Sequence, residues 1–182
     1  TSIDVSMANL VGSTAEAVDF ALDYSDELLG GTIDVSATST WVRELSVQTY
    51  PGQPAEDYAG VNTVSYGQGY SENGALRWRG NGSVRWSKGP FSIAWQGRYV
   101  DGYYLELDRA FVDWQGSARV DSVFYHDIAG SYDFDNGLKV RAGINNIFGT
   151  KPPIDTLASP IFYSRNADPR LTNFYLTLTK SF

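Results

Sequence analysis

The end of the chain alternates between apolar and hydroxyl-bearing side chains, and this alternation constrains the fold more than any other feature. From Asn173 onward the even positions carry apolar residues, with Lys180 as the one exception: Phe174, Leu176, Leu178 and Phe182. The odd positions carry hydroxyl groups: Tyr175, Thr177, Thr179 and Ser181. Because successive side chains of a β-strand point to opposite faces, the segment is predicted to be a strand with one apolar and one polar face.

The same period of two recurs along most of the chain and predicts eight strands. These are residues 3–9, 17–24, 32–42, 76–86, 91–99, 122–134, 138–145 and 171–182. Strands this long, with so little apolar material on their second face, would leave the core of a soluble sandwich underfilled. In a transmembrane β-barrel the apolar face meets lipid and the polar face meets water or protein. The predicted class is therefore all-β, an antiparallel transmembrane β-barrel.

Composition agrees with this class and excludes others. The mean hydropathy is -0.27, and no apolar run reaches the roughly 18 residues that a membrane helix needs. Barrel strands give only a weak hydropathy signal, so this value is expected for them. The net charge of -7 argues against nucleic acid as a partner. The absence of cysteine from the sequence excludes a disulfide framework and a thiolate metal site.

The connections alternate in length, which predicts an orientation. Short glycine-containing turns fall at 26–30, 87–90 and 135–137, and long polar loops fall at about 46–73, 103–117 and 149–170. Outer-membrane barrels keep short turns on the periplasmic side and long loops outside. Two aromatic girdles are expected, from Trp86, Phe91 and Phe134 near the turns and from Trp41 and Tyr99 near the loops.

The C-terminal third resembles the end of a TonB-dependent outer-membrane receptor. The run G-L-K-V-R-A-G-I-N-N-I-F-G-T-K-P-P starts at Gly137, and N-A-D-P-R precedes the final strand. In that family the penultimate strand closes with an Asn-aliphatic-Phe signature, a Pro follows, and a loop Asp-Pro-Arg leads into the last strand. The matching residues here are Asn146, Ile147, Phe148, Pro152, Pro153, Asp168, Pro169 and Arg170. Segments 17–24 and 77–99 are similar to earlier strands of the family and support the match.

The resemblance implies a barrel of about 22 strands around a plugged lumen, with a plug domain that contacts TonB. Residues 1–182 are then expected to be the C-terminal segment of such a barrel, with its remaining strands, its plug and outer-membrane lipid as partners. No signal peptide precedes Thr1, so we expect the natural N-terminus to lie outside this sequence. The implied function is import of a scarce nutrient (a siderophore, cobalamin, haem or a glycan) across the outer membrane of a Gram-negative bacterium, with no cofactor and no catalysis. The family's assembly signal would be Phe174, Leu176, Leu178 and Phe182.

Two sets of residues are candidates for contacts with a ligand or with the plug. Aromatic side chains in the loops are suited to stacking on a sugar or an aromatic siderophore, although loop and girdle aromatics are commonly anchors. They are Tyr50, Tyr58, Tyr66, Tyr70, Tyr103, Tyr104 and Trp114. The second set is basic and is expected to face the lumen: Arg77, Arg79, Arg85, Arg98 and Arg141. These arginines, with Lys139, fit either a path for an anionic ligand or a wall paired with carboxylates against which a plug packs.

Two other functions remain open from the sequence. Eight strands suffice for a complete small closed barrel with a structural or adhesin role. An outer-membrane enzyme would need a catalytic constellation at the rim of the barrel, whereas the single histidine, His126, is predicted in the middle of a strand. A lone histidine is also a poor metal site. Asp133 and Asp135 flank an Asp-Asn-Gly turn, which is ordinary turn chemistry.

Overall fold

A computed structural model describes residues 12–48, 50–64 and 72–181 and shows an all-β protein. In chain order the strands are β1 Gly12–Leu28, β2 Gly31–Gln48, β3 Glu56–Asp57, β4 Thr63–Val64, β5 Glu72–Asn73, β6 Trp78–Lys88, β7 Phe91–Val100, β8 Tyr103–Tyr104, β9 Arg119–Val120, β10 Val123–Asp133, β11 Leu138–Asn145 and β12 Asn173–Lys180. None of the described residues belongs to a helix.

The long strands form one antiparallel sheet in which each strand pairs with the next long strand of the chain. The order is β1-β2-β6-β7-β10-β11-β12, with β3 added to β2, while β4–β5 and β8–β9 form separate two-stranded ladders. This confirms the predicted all-β, antiparallel class. The predicted strand at 3–9 lies outside the described residues. Within the described sheet β1 and β12 are the two edges, and no pairing joins them.

The strand ends differ from the prediction most at the first hairpin, and elsewhere by two residues or fewer. The hairpin β1–β2 runs past its predicted ends at residues 17 and 42, reaching the pair Gly12–Gln48 across a bulge at Glu16/Ala17, and β1 also continues past residue 24 to Leu28. The added residues include charged side chains, so apolar and polar residues do not alternate there and the sequence pattern did not predict a strand. The predicted strand at 76–86 was wrong at its first end, because β6 begins at Trp78 and Leu76 packs in a buried cluster instead.

The three short connections are tight turns at one end of the sheet. Leu28 pairs with Gly31, and the two residues between them have positive φ angles, 56° at Leu29 and 72° at Gly30. A two-residue turn with both φ angles positive matches the twist of the strands it joins. The longer connections all lie at the other end of the sheet, which is called the loop end below.

The register separates the sheet into an apolar face and a polar face. One row crosses all seven long strands with apolar or aromatic side chains: Tyr24, Val35, Val84, Trp95, Ile128, Ile144 and Phe174. A row of opposite parity is polar throughout: Glu27, Thr32, Ser87, Ser92, Ser131, Arg141 and Thr177. The apolar face has no covering layer among the described residues, and Leu22, Phe174 and Leu176 on it are 56%, 74% and 66% exposed.

The buried core lies at the loop end, on the side of the polar face. One cluster joins Leu76, Tyr103, Leu105 and Val120, and a second joins Val123, Tyr125 and Ala167. Val100 packs against both clusters. Since Val100 pairs with Arg79 and lies two residues from Arg98, it belongs to the polar face. The loops therefore fold back over the polar face and bury their own side chains there. These two clusters are called the loop core.

Candidate functional site

The apolar face carries aromatic side chains at both ends and mostly aliphatic or small ones between them. At the loop end Trp78 stacks with Trp41 and with Phe20, at centroid distances of 6.0 and 6.2 Å. At the turn end Trp86 meets Phe91 edge-on at 6.2 Å. This is the distribution expected of two aromatic girdles flanking a lipid-facing band.

His126 lies on the apolar face within an aromatic cluster. Its Nδ1 accepts a hydrogen bond from Trp95 Nε1 at 3.2 Å, and its ring is 4.6 Å from the Phe124 ring and 5.0 Å from the Phe148 ring. These contacts orient the imidazole by packing. Across the part of the chain that the structure describes, no group of three or more histidine and carboxylate side chains is placed to hold a metal ion.

The turn-side half of the polar face is open and lined by charged and hydroxyl groups. Asp23, Asp34 and Arg85 line a shallow cavity of about 500 Å³ there. Ser25 Oγ donates to Asp34 Oδ1 at 2.8 Å, and hydroxyl–hydroxyl bonds link neighbouring strands nearby. Arg79 and Arg85 form no ion pair with any described residue. This part of the polar face offers hydrogen-bonding groups of both charges to whatever lies against it.

On the loop-side half, Arg98 ties the loop before β12 to the sheet. It lies 3.4 Å from Asp127 and 3.4 Å from Asp168, and its guanidinium carbon is 5.1 Å above the Tyr125 ring. Its Nε lies 3.4 Å from Asp127 Oδ2 without forming a hydrogen bond, so this buried N–H has no acceptor among the described atoms. Arg170 completes the network with an ion pair to Asp168 at 2.9 Å.

We expect this network to give the loop a pH-dependent stability. The Arg170 guanidinium, the Arg170 backbone N–H and the charge of Arg98 lower the pKa of Asp168 from 3.8 to about 2, although partial burial opposes the shift. Because the folded pKa lies below the unfolded value, the stabilisation is complete above pH 3.8 and is lost as the pH falls towards 2. Hydrogen exchange of residues 162–172, corrected for intrinsic rates, should accelerate over that interval. In Asp168→Asn the loop should exchange faster at pH 7 and the acid step should disappear; a retained step would assign it to another carboxyl.

Tyr103 and Asp155 form a buried hydrogen-bonded pair inside the loop core. The Tyr103 hydroxyl donates to Asp155 Oδ2 at 2.5 Å and lies 3.0 Å from Ser164 Oγ. Burial and the Asp155 carboxylate raise the pKa of Tyr103 well above its usual value, so the hydroxyl stays protonated and remains a donor. Tyr103 and Asp155 are only 1% and 3% exposed. The pair joins the segment that opens the β8–β9 hairpin to the loop that precedes β12.

The structure separates the loop aromatics that the sequence grouped together. Trp114 is 96% exposed and Tyr50 is 52% exposed, so both present open ring surface at the loop end. Tyr58 is partly buried, and its hydroxyl donates to Glu56 at 3.1 Å. Tyr103 lies inside the loop core and presents no ring surface outside it. Tyr66 and Tyr70 lie outside the described residues.

The predicted lumen-facing arginines also fall into two groups. Arg79, Arg85, Arg98 and Arg141 share the polar face of the sheet. Arg141 lies against the Tyr175 ring, with 5.9 Å between its guanidinium carbon and the ring centroid. Arg77 precedes β6 and is held by β2 and by the first long loop, donating to the backbone oxygens of Arg43 and Ala59 at 3.2 and 2.9 Å. It is therefore part of the loop structure and not of the strand.

Asn146, the first residue of the Asn-aliphatic-Phe signature, anchors the last loop. It has a positive φ of 51° and is 2% exposed. Its side-chain amide pairs with the backbone of Thr150 in both directions at 2.8 Å, and its backbone N–H donates to Asp127 at 2.7 Å. Asparagine tolerates this left-handed conformation better than most residues, which explains why an Asn directly follows β11. Asp127, which accepts this N–H and pairs with Arg98, carried no sequence signal, because nothing in its neighbouring residues marks either partner.

Comparison with known proteins identifies no family for this chain. No protein-family model, curated protein or solved structure matches this chain. The described residues also contain no helix long and apolar enough to cross a membrane. The two faces of the sheet and the loops that fold back over the polar face are the features that bear on function.

Proposed function

We propose that this chain is the C-terminal barrel portion of a TonB-dependent outer-membrane receptor that binds and imports a scarce nutrient. The observation that carries the proposal is the uninterrupted apolar face, which crosses all the long strands and carries aromatic residues at both ends. Soluble proteins rarely leave apolar patches of more than a few hundred Å² uncovered. Lipid is the covering that such a face fits, and the resemblance from Gly137 onward favours the receptor family.

The dimensions of the apolar face fit this environment. On β6 the girdle residues Trp78 and Trp86 are eight residues apart, or about 27 Å along a strand. At the usual strand tilt of outer-membrane barrels this spans roughly 20 Å of membrane thickness, close to the apolar band of about 25 Å in such barrels. On β6 the apolar-face positions between these two tryptophans are Gly80, Gly82 and Val84, which are small or aliphatic.

The two edges of the sheet favour a larger barrel. β1 and β12 each have one side without a partner among the described residues. Unpaired backbone N–H and C=O groups cost several kcal/mol each in hydrocarbon, so both edges need further strands. The remaining strands of the receptor would supply them. A plug domain in the lumen would meet the open, charged part of the polar face around Asp23, Asp34 and Arg85.

The complete small barrel is the competing proposal, and it makes a different prediction about these edges. It would require residues 3–9 to pair with β1 on one side and with β12 on the other. An outer-membrane enzyme is less well supported, because His126 lies on the apolar face among aromatic rings instead of on the polar face.

The membrane proposal predicts opposite solvent access for neighbouring positions of one strand. The chain has no cysteine, so Leu22→Cys and Asp23→Cys each give this segment a single thiol for a spin label. In the full polypeptide reconstituted in lipid vesicles, the label at Leu22 should be more accessible to oxygen than to a water-soluble nickel chelate. The label at Asp23 should show a lower oxygen preference.

Nickel access at Leu22 equal to that of a label at the exposed loop residue Lys151 would refute the lipid-facing assignment.

The transport part of the proposal is tested separately, by uptake of labelled ferric siderophores, cobalamin, haem and glycans in cells with and without TonB. Uptake of one of these that depends on both the receptor gene and TonB is the expected result. Loss of the gene without any change in uptake would contradict a role in import.

A further inference from the structure

A small cavity at the loop end is lined by three arginine side chains, two of which lie over one tyrosine ring. It measures about 220 Å³, and its charged lining consists of Arg77, Arg109, Arg119 and Asp101. Tyr104 lies between them, with the Arg109 and Arg119 guanidinium carbons 5.2 and 5.7 Å from its ring centroid. The contact of each guanidinium with the ring is favourable by itself. Two guanidinium groups at the same ring, however, repel each other because they carry like charges.

Two of the three guanidinium groups are held by the backbone. Arg77 donates to the Ala59 carbonyl oxygen at 2.9 Å, and Arg119 lies 3.4 Å from the Gly102 carbonyl oxygen. Glycine keeps space free beside both side chains: a Cβ at Gly60 would lie 3.3 Å from Arg77 Nε, and one at Gly102 would meet the Val120 carbonyl oxygen at 2.5 Å as well as Arg119 Nε at 3.1 Å. Because these donors are already in place, less side-chain entropy is lost when a ligand binds.

The nearby carboxylates do not neutralise the three cations. Asp57 lies 3.4 Å from Arg77. Asp101 lies 3.5 Å from Arg119 and already accepts hydrogen bonds from the Tyr99 hydroxyl and the Gly102 N–H, at 3.0 and 2.9 Å. Arg109 is exposed and makes no ion pair with any described residue. The Arg109 guanidinium therefore remains available at a cavity whose other two guanidinium groups are already held in place.

We infer that this cavity binds an oxyanion group, a carboxylate or a phosphate, of a small soluble ligand. Guanidinium groups pair with such groups through parallel N–H···O bonds, and the Tyr104 ring bounds the cavity beside them. The cavity is lined by residues of the loops and by no residue of the apolar face, which favours a soluble ligand over a lipid headgroup. The nature of the nutrient rests on the proposed receptor function: if that function holds, the imported nutrient is anionic.

The inference is tested by binding of succinate and of inorganic phosphate to the full polypeptide in detergent, measured by isothermal titration. Arg109→Gln removes the exposed guanidinium, which packs only on a ring, so the variant should fold. At least one probe should bind, and Arg109→Gln should weaken that binding about tenfold, as loss of one charge-assisted contact predicts. Arg109→Lys keeps the charge without the planar fork, so its dissociation constant should lie between those of the parent protein and Arg109→Gln.

Lys151→Gln is the matched control, since it removes one exposed loop charge away from the cavity. It should leave the dissociation constant within about twofold of the parent value. Equal losses in Arg109→Gln and Lys151→Gln, or no binding of either probe below about 10 mM, would overturn the inference. Failure here would leave the spin-label result at Leu22 untouched, whereas a water-exposed Leu22 would refute the receptor and not the anion site.

Discussion

Arginine at Leu176 is expected to destabilise the folded protein in a bilayer by about 2–4 kcal/mol, the range measured near the midplane of membrane barrels. Leu176 lies on the apolar face of β12, opposite Ala142 on β11, and is 66% exposed. Under the proposed lipid-facing assignment, lipid would surround a cation at this position, and the cost of that charge would not be offset by a partner. The measurement is a folding titration of the full polypeptide in vesicles, monitored by tryptophan fluorescence.

Thr177→Arg is the matched control one residue along the same strand. Its side chain lies on the polar face, directly opposite Arg141, so some repulsion is expected. Like charges facing each other across strands cost only about 0.2–1 kcal/mol, well below the cost at Leu176. Equal destabilisation by the two arginines would show that both faces of β12 meet the same medium, and the assignment of lipid to the apolar face would fail.

Removing the hydroxyl of Tyr103 should cost about 1–3 kcal/mol, the penalty for leaving a buried polar partner unsatisfied. In Tyr103→Phe the Asp155 carboxylate keeps the Leu157 backbone N–H at 3.0 Å but loses its 2.5 Å contact with the phenol. Because the carboxylate is 3% exposed, water cannot readily replace that donor. Hydrogen exchange of residues 103–105 and 155–164 should report the loosened loop core.

The control is Tyr132→Phe, which makes the same chemical change on the apolar face of β10. Tyr132 is 43% exposed, and its hydroxyl has no hydrogen-bond partner among the described residues. Its removal should leave exchange in the loop core unchanged. Faster exchange in Tyr132→Phe than in Tyr103→Phe would show that the buried pair contributes nothing to holding the loops.

The sheet could be predicted from the sequence because each strand carries its own periodic signal. The alternation of Leu176 with Thr177, or of Trp86 with Arg85, depends only on neighbouring residues, and a shift of one position would exchange the two faces. The ends of β1 and β2 were missed for the same reason. Glu16 and Glu44 pair across the hairpin, and two charged residues give no contrast between faces.

The candidate site could be predicted only in part, since its partners are far apart in the chain. Arg98 was assigned to the polar face by parity, but its neighbour Asp168 is 70 residues away. Tyr103 and Tyr104 are adjacent tyrosines in the same loop, yet one is buried beside Asp155 and the other faces two arginines. Which tyrosine turns inward is decided by the packing of Leu105 and Val120, and no local pattern encodes that.

The placement of the buried residues has a consequence for how this protein can change over evolutionary time. Among the described buried apolar side chains, only Val123 and Tyr125 belong to long strands, and the others come from the connections. Loops are ordinarily the segments where substitutions and insertions accumulate. Here a substitution at Val61 or Leu105 meets packed neighbours, whereas one at Ala21 on the polar face of β1 meets open space. A new specificity at the loop end would therefore have to arise through compensating pairs of changes, or at exposed rims such as Trp114, while open positions on the polar face of the strands change more freely.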